Sequence, residues 1–270
     1  MWRKITPTCL QILSGNWTST ALAWSLAKRS TEMNWPFLAL ALVCAGFVQG
    51  MTGFGFGLVS MSLMPLVIGV KQAAAISTVF SFLATITTFI RHYREYNWRL
   101  GLTFLISVCV GVPIGVYFLD RASEGMLLRV LGTLMILFAA REFLMKRELQ
   151  SIPSALTVPL GLFSGTLSGA FNLGGIPTAA YAYAHPWSRG QIMAFLQVMI
   201  TLSCALRIVF YSKFGYFKEI TFGQAVLLVV PLYAAIWLGH LALIKVPPKH
   251  MRRGVFAFIG LAGVYYLFLH

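Results

Sequence analysis

Two stretches of this chain, Met33–Val70 and Leu149–Ser188, contain no Asp, Glu, Lys or Arg over 38 and 40 residues. A membrane-spanning helix needs roughly 20 apolar residues, so each stretch is too long for one straight crossing. Each also carries a cluster of five glycines, Gly46–Gly57 and Gly161–Gly175, and glycine weakens a helix because nothing restricts its backbone. The sequence therefore predicts two apolar elements that are interrupted part-way.

The remaining composition indicates a membrane protein. Hydrophobic residues make up 58% of the chain and charged residues 10%, whereas soluble domains carry about 25% charged residues. The alternating polarity that is typical of barrel strands is absent from the sequence. We therefore predict an all-α integral membrane protein. Further charge-free runs are Gln72–Ile90, Leu100–Leu119, Gly190–Leu206, Ile220–Ile244 and Gly254–His270.

The order of broken element, helix, helix, helix occurs twice, which predicts two homologous halves, each opened by a glycine-broken helix. Three pairs of positions match at a constant offset of 124 residues: Gly115 with Gly239, Arg121 with Lys245 and Arg129 with Arg253. We divide the chain into an N-terminal cytoplasmic tail or interfacial helix (1–34), a first repeat (35–145), a polar linker (146–153) and a second repeat (154–270).

The distribution of Lys and Arg favours about eight transmembrane helices. With one crossing per broken element, 13 of these residues fall on one side and 8 on the other, whereas two crossings give 10 against 11. Only the first division follows the positive-inside rule, which predicts that both termini are cytoplasmic, although the basic segment Lys245–Arg253 counts against this choice. The net charge is +14, and the Lys and Arg residues are scattered over the interhelical loops. This distribution is typical of residues that set membrane topology and attract anionic lipid, and it does not indicate nucleic-acid binding.

The two breaks, which we predict to be non-helical at Gly53–Gly57 and Gly169–Gly175, are the predicted substrate site. Backbone N–H groups at a helix N-terminus attract anions without a charged side chain, and paired broken helices indicate the binding site of a transporter. The alternative is close helix packing through small residues. The candidate substrate-binding residues are Gln49, Thr52, Gly53, Gly55, Gly57, Ser168, Gly169, Asn172, Gly174, Gly175 and Gln197.

Asn172 is the leading side chain among these candidates, because an amide inside an apolar run is costly unless it is paired. It either donates to a substrate oxygen or caps a half-helix, a role that asparagine favours. Gln49 and Thr52 have interhelical hydrogen bonds as their alternative role, and Gln197 is equally compatible with facing the site or not. Arg207 ends an apolar run and is predicted to snorkel to the membrane interface, the alternative being contact with an anion.

The arrangement resembles the sulfite exporter TauE/SafE family of bacterial membrane permeases, over about Pro36 to Leu269. The two glycine clusters, each followed by a proline, carry the resemblance, and later helices that start near Gly111 and Pro231 add to it. The second cluster departs from the family's usual G-x-G-G pattern, because Phe171-Asn172-Leu173 precedes its glycine pair. The resemblance implies a carrier of sulfite, a sulfonate or another organic anion in the bacterial inner membrane.

We therefore predict a secondary transporter, an exporter or permease, that moves a small anion by alternating access, with coupling to protons as an open alternative. A non-transporting scaffold or assembly factor is the competing hypothesis, and a membrane enzyme is less favoured. No nucleophile, base and orienting residue occur together in the sequence, and the histidines and cysteines lack metal-ligand spacing. No catalytic residue, metal or cofactor is predicted, and the sequence leaves the substrate, direction of transport and oligomeric state open.

Overall fold

The computed structural model describes residues 35–96, 98–144, 152–217, 226–245 and 248–268. All regular structure within these ranges is helical, as the sequence predicts. The chain divides into two units, Met1–Trp35 and Pro36–His270, and the candidate site belongs to the second. The predicted tail (1–34) lies outside the described residues, as does most of the predicted linker (146–153).

In chain order the helices within the described ranges are α1 (Trp35–Thr52), α2 (Phe56–Leu63), α3 (Val70–His92), α4 (Trp98–Arg121), α5 (Glu124–Leu144), α6 (Thr157–Phe171), α7 (Gly175–Tyr183), α8 (Arg189–Phe214), α9 (Val229–Lys245) and α10 (Pro248–Phe268). Five helical segments are long and apolar enough to span a membrane: α1, Val70–Ile90 of α3, Gly101–Arg121 of α4, α6 together with the short 3-10 turn before it (Ser154–Phe171), and α8. Shorter apolar segments lie in α2, α9 and α10. The chain is therefore a multi-pass membrane protein, while the count of eight spans stays a prediction.

Each glycine-rich stretch contains an interrupted helix. Gly53–Gly55 separates α1 from α2, and Asn172–Gly174 separates α6 from α7. Gly53 and Gly55 have φ angles of 75° and 114°, and Asn172 has a φ of 59°, the only positive φ on a non-glycine residue in the described ranges. Because an α-helix needs negative φ, these residues end the helices that precede them.

The breaks are shorter than the sequence analysis predicts. Gly57, Gly169 and Gly175, which the prediction placed in the non-helical segments, are helical residues of α2, α6 and α7. Gly57 and Gly169 serve close packing, because a Cβ at either position would overlap a backbone carbonyl of a neighbouring segment. A glycine that is present for packing does not need to interrupt its helix.

Glycines also bring pairs of helices into backbone contact. A Cβ on Gly115 would overlap the backbone of α6, and a Cβ on Gly165 would overlap that of α4. In the same way, Gly50 packs on the backbone of α9 and Gly239 on that of α1. Gly115 and Gly239, which match at the 124-residue offset, thus each contact the first helix of the other predicted half.

Helix α8 lies among the other elements of the site. It packs against α3, α4, α6 and α7, while α10 packs against α5 and α2. Its middle turns are mostly buried, which places polar side chains of those turns inside protein rather than in lipid.

Candidate functional site

The two helix breaks meet. Gly57, in the first turn of α2, packs so closely on Asn172 that a Cβ would overlap the Asn172 carbonyl oxygen and lie 2.8 Å from its Cγ. Gly175, the first residue of α7, faces Phe54, and a Cβ built on it would lie 3.9 Å from the Phe54 Cβ. The N-terminal ends of α2 and α7 therefore lie side by side.

The middle turns of α8 contact both breaks. Gln197 Nε2 donates to the carbonyl oxygen of Gly53 at 2.8 Å, and Arg207 Nη2 donates to Asn172 Oδ1 at 2.7 Å. Both side chains belong to the central part of this 26-residue helix. The two contacts lie on either side of the centre of a helix that is long enough to span a membrane, about 15 Å apart along its axis.

A cavity of about 30 Å³ lies between the breaks, which is room for about two water molecules. The first turns of α2 and α7 line it, and Phe54, Leu173 and Met199 are among the apolar side chains that close it. None of the lining residues that the structure describes is charged. The polar lining side chains are Gln49, Ser81, Ser164, Ser168, Asn172, Thr178 and Ser203.

Gln49 joins the end of α1 to the start of α2. Its Nε2 donates to the carbonyl oxygen of Gly53 at 3.0 Å, and its Oε1 accepts from the N–H of Phe56 at 3.2 Å. The side chain therefore pairs with a donor that a helix N-terminus otherwise leaves free. Thr52, the other candidate at this break, donates to the carbonyl oxygen of Val48 at 2.9 Å and is not among the cavity-lining residues.

Asn172 ends α6 and binds side chains from two other helices. Its backbone N–H donates to the carbonyl oxygen of Ser168 at 3.0 Å, in the left-handed conformation of a helix C-cap. Its Nδ2 donates to Ser77 Oγ at 2.7 Å, while its Oδ1 accepts from Arg207. The amide group is therefore paired inside the protein, and its contact with a substrate stays a prediction.

The prediction that Arg207 snorkels to the membrane interface is wrong, because this side chain is fully buried, with 0% of its surface exposed. Nη1 donates to the carbonyl oxygen of Ser168 at 3.1 Å, and Nε donates to that of Ser203 at 3.4 Å. Nη2 bonds Asn172 and also Cys204 Sγ, the latter at 2.9 Å. These acceptors replace water around the guanidinium, which is what allows an arginine to lie away from the interface.

The model of the sulfite exporter TauE/SafE family matches residues 38–266 of this chain. The chain belongs to the sulfite exporter TauE/SafE family. A probable sulfite/organosulfonate exporter TauE of Cupriavidus necator is 26% identical over 218 residues, covering 77% of this chain and 85% of that protein. A probable membrane transporter protein of Methanocaldococcus jannaschii is 24% identical over 267 residues, covering 87% and 98%. No solved structure matches the chain significantly.

Membership in this membrane transporter family confirms the resemblance that the glycine clusters and prolines suggest. The structure brings seven of the candidate residues together around the cavity: Gln49, Gly55, Gly57, Ser168, Asn172, Gly174 and Gly175. Four candidates lie outside the lining: Thr52, Gly53, Gly169 and Gln197. Gly53 and Gln197 still belong to the contact between the first break and α8, whereas the Gly169 carbonyl oxygen accepts a hydrogen bond from Tyr211 at 2.7 Å.

Ser60, Ser77 and Ser203, which connect the helices around the cavity, are not among the predicted candidates, whereas Ser168 is. Ser77 Oγ, which binds Asn172, also lies 2.5 Å from Ser60 Oγ and so joins α3 to α2. Ser168 Oγ donates to Ser203 Oγ at 3.1 Å and joins α6 to α8. The signal for such residues is a polar side chain that repeats every four residues on one face of an apolar helix.

Proposed function

We propose that this chain is a secondary carrier of a small anion and that the anion occupies the cavity between the two breaks. The observation that carries the proposal is that the N-terminal ends of α2 and α7 border the same cavity. Each helix N-terminus carries about half a positive charge, and two adjacent ends reinforce each other. Hydroxyl and amide side chains around them offer further hydrogen bonds to an anion.

The substrate class we propose is sulfite or a small sulfonate. The Cupriavidus necator relative is named for sulfite and organosulfonates, and both carry oxygen atoms that accept hydrogen bonds from backbone N–H groups and hydroxyls. The cavity of about 30 Å³ matches only the smallest of these anions. Longer sulfonates require the breaks to separate.

The mechanism we propose is alternating access between two homologous halves, with eight crossings and cytoplasmic termini in the bacterial inner membrane. The reciprocal contacts of Gly115 with α6 and Gly239 with α1 support the duplication. α2 and α7 have only eight and nine residues, and glycine-containing segments join them to α1 and α6. Backbone rotation at Gly53–Gly55 and Asn172–Gly174 would move these short helices without disturbing the longer ones.

Counterflow in proteoliposomes tests the proposal. Vesicles loaded with unlabelled sulfite or methanesulfonate should take up the labelled anion faster than protein-free vesicles and faster than vesicles loaded with chloride. Repeating the assay with and without a pH gradient shows whether protons are coupled to transport. Saturable counterflow supports a carrier, whereas uptake equal to that of protein-free vesicles for every anion of the panel refutes the proposal and favours the scaffold hypothesis.

A further inference from the structure

A guanidinium group lies directly behind the cavity wall. Arg207 itself does not line the cavity, but two of the residues it binds do: Asn172, through its side-chain oxygen at 2.7 Å, and Ser168, through its carbonyl oxygen at 3.1 Å. One residue therefore separates a full positive charge from the space that we assign to the anion.

Among the residues that the structure describes, no carboxylate is bonded to this guanidinium. Its four acceptors are two backbone carbonyl oxygens, an amide oxygen and a cysteine sulfur. Arginine does not lose its proton in proteins, and a buried charge without a counter-charge is costly. An anion in the adjacent cavity is a ligand that such a charge favours.

We propose that Arg207 sets the charge selectivity of the site, so that the site favours an anion over a neutral solute of the same shape. This inference rests on the proposed function, since it concerns the same cavity. Arg207 acts as a positioning residue, through its electric field and through Asn172, whose amide it orients and polarises. Its charge adds to the partial positive charges of the two helix N-termini, so the favoured substrates are sulfite, hydrogensulfite and sulfonates rather than neutral sulfones.

The geometry of the contacts explains why the group is an arginine. Its planar fork binds Ser168, Asn172 and Cys204 at the same time, which a lysine ammonium, a single point of charge, does not reproduce. Arg207→Lys should therefore keep the preference for anions and lower the thermal stability. A kept anion preference with a lower Tm in this variant would distinguish the effect of the charge from the hydrogen bonds that hold the second break.

The expected effect follows from Coulomb's law. For a unit charge about 8 Å from the anion, at an effective dielectric constant of about 20, the attraction corresponds to roughly 30-fold in affinity. The quantity to measure is the ratio of the inhibition constants of dimethyl sulfone and methanesulfonate, a neutral and an anionic solute of similar shape, against labelled methanesulfonate uptake. If the role of Arg207 were purely structural, its loss would weaken inhibition by both solutes without changing this ratio.

Two substitutions weaken the electric field of Arg207 in the cavity in different ways. Arg207→Gln deletes the charge, and Asn172→Asp puts a carboxylate against the guanidinium while nearly preserving the shape of the side chain. Lys213→Gln is the matched control, because it removes an exposed positive charge from the same helix. The full-length variants are reconstituted, and their folding is checked by size-exclusion chromatography and thermal unfolding.

We expect the preference for methanesulfonate to fall by roughly 30-fold in Arg207→Gln and Asn172→Asp and to stay at the wild-type value in Lys213→Gln. If Arg207→Gln does not fold, Asn172→Asp decides the matter. An unchanged ratio in the folded variants, with wild-type uptake intact, overturns this inference alone. Wild-type protein that takes up no anion refutes the proposed function and this inference with it.

Discussion

Gly57→Ala is the substitution that most directly disturbs the contact between the two breaks. A Cβ at this position would overlap the carbonyl oxygen of Asn172 and lie 2.8 Å from its Cγ, whereas carbon atoms in contact are about 3.5–4.0 Å apart. The overlapping atom belongs to the backbone, so no rotation of a side chain relieves it. The first turn of α2 must move away from the second break.

Overpacking of this kind destabilises proteins by about 1–3 kcal/mol, and the higher helix propensity of alanine offsets roughly 0.5–1 kcal/mol of that. A net loss of about 1–2 kcal/mol corresponds to a Tm that is lower by about 2–8 °C for a chain of this size. Because the displaced turn borders the cavity, we also expect anion counterflow to fall by at least about 10-fold, the equivalent of about 1.4 kcal/mol. Thermal unfolding in detergent and counterflow in proteoliposomes measure the two effects.

Two glycines provide controls for this substitution. Gly125 has no heavy atom within 4 Å of a built Cβ, and at Gly175, in the same cavity, the nearest atom is 3.8 Å away. Gly125→Ala should keep both the Tm and the transport of the wild type, and Gly175→Ala should keep the Tm. If Gly57→Ala is indistinguishable from Gly125→Ala in both assays, the two breaks do not meet as described and the reasoning fails.

Three further predictions concern the surroundings of the cavity. Asn172→Gly should have a higher Tm than Asn172→Ala, because glycine adopts the left-handed backbone at this position and alanine loses roughly 1–2 kcal/mol there; equal Tm values would contradict this account of the break. Gly50→Ala and Gly165→Ala, each of which would overlap the backbone of a neighbouring helix, should lower the Tm by similar amounts if the halves are homologous, and a change in only one of them would count against duplication. Gln49→Ala should lower the free energy of unfolding by about 1–3 kcal/mol, because it removes the hydrogen bonds from the Phe56 N–H to Gln49 and from Gln49 to the Gly53 carbonyl oxygen. Thermal unfolding, with Gly125→Ala as the control, measures this loss.

The helical class, the interruption of both glycine-rich stretches and the family were predictable because their signals are local. Long charge-free runs indicate spanning helices whatever the helices contact. A glycine cluster inside such a run predicts a weak point, and Gly53 and Gly55 do adopt left-handed angles. The sequence does not distinguish these two glycines from Gly57 and Gly169, which lie within helices and allow another segment to pack closely. Such close packing depends on the tertiary structure and leaves no local signal in the sequence.

Arg207 shows where prediction from a single helix ends. Its position at the end of an apolar run suggests the interface, yet Ser168 and Asn172, its partners on the second broken element, lie 39 and 35 positions earlier in the chain. Hydropathy along α8 contains no information about acceptors on another helix. The same limit applies to Ser77, which is unremarkable in sequence and becomes part of the site through its bond to Asn172.

Locating a bound anion tests the central claim most directly. Selenite is a close analogue of sulfite, and selenium scatters anomalously, so crystals of the full chain grown with selenite show where the anion binds. The account predicts an anomalous peak in the cavity between the first turns of α2 (Gly55–Gly57) and α7 (Gly174–Ile176), which methanesulfonate displaces. A peak bound elsewhere on a transport-competent protein, with none between these turns, would contradict it.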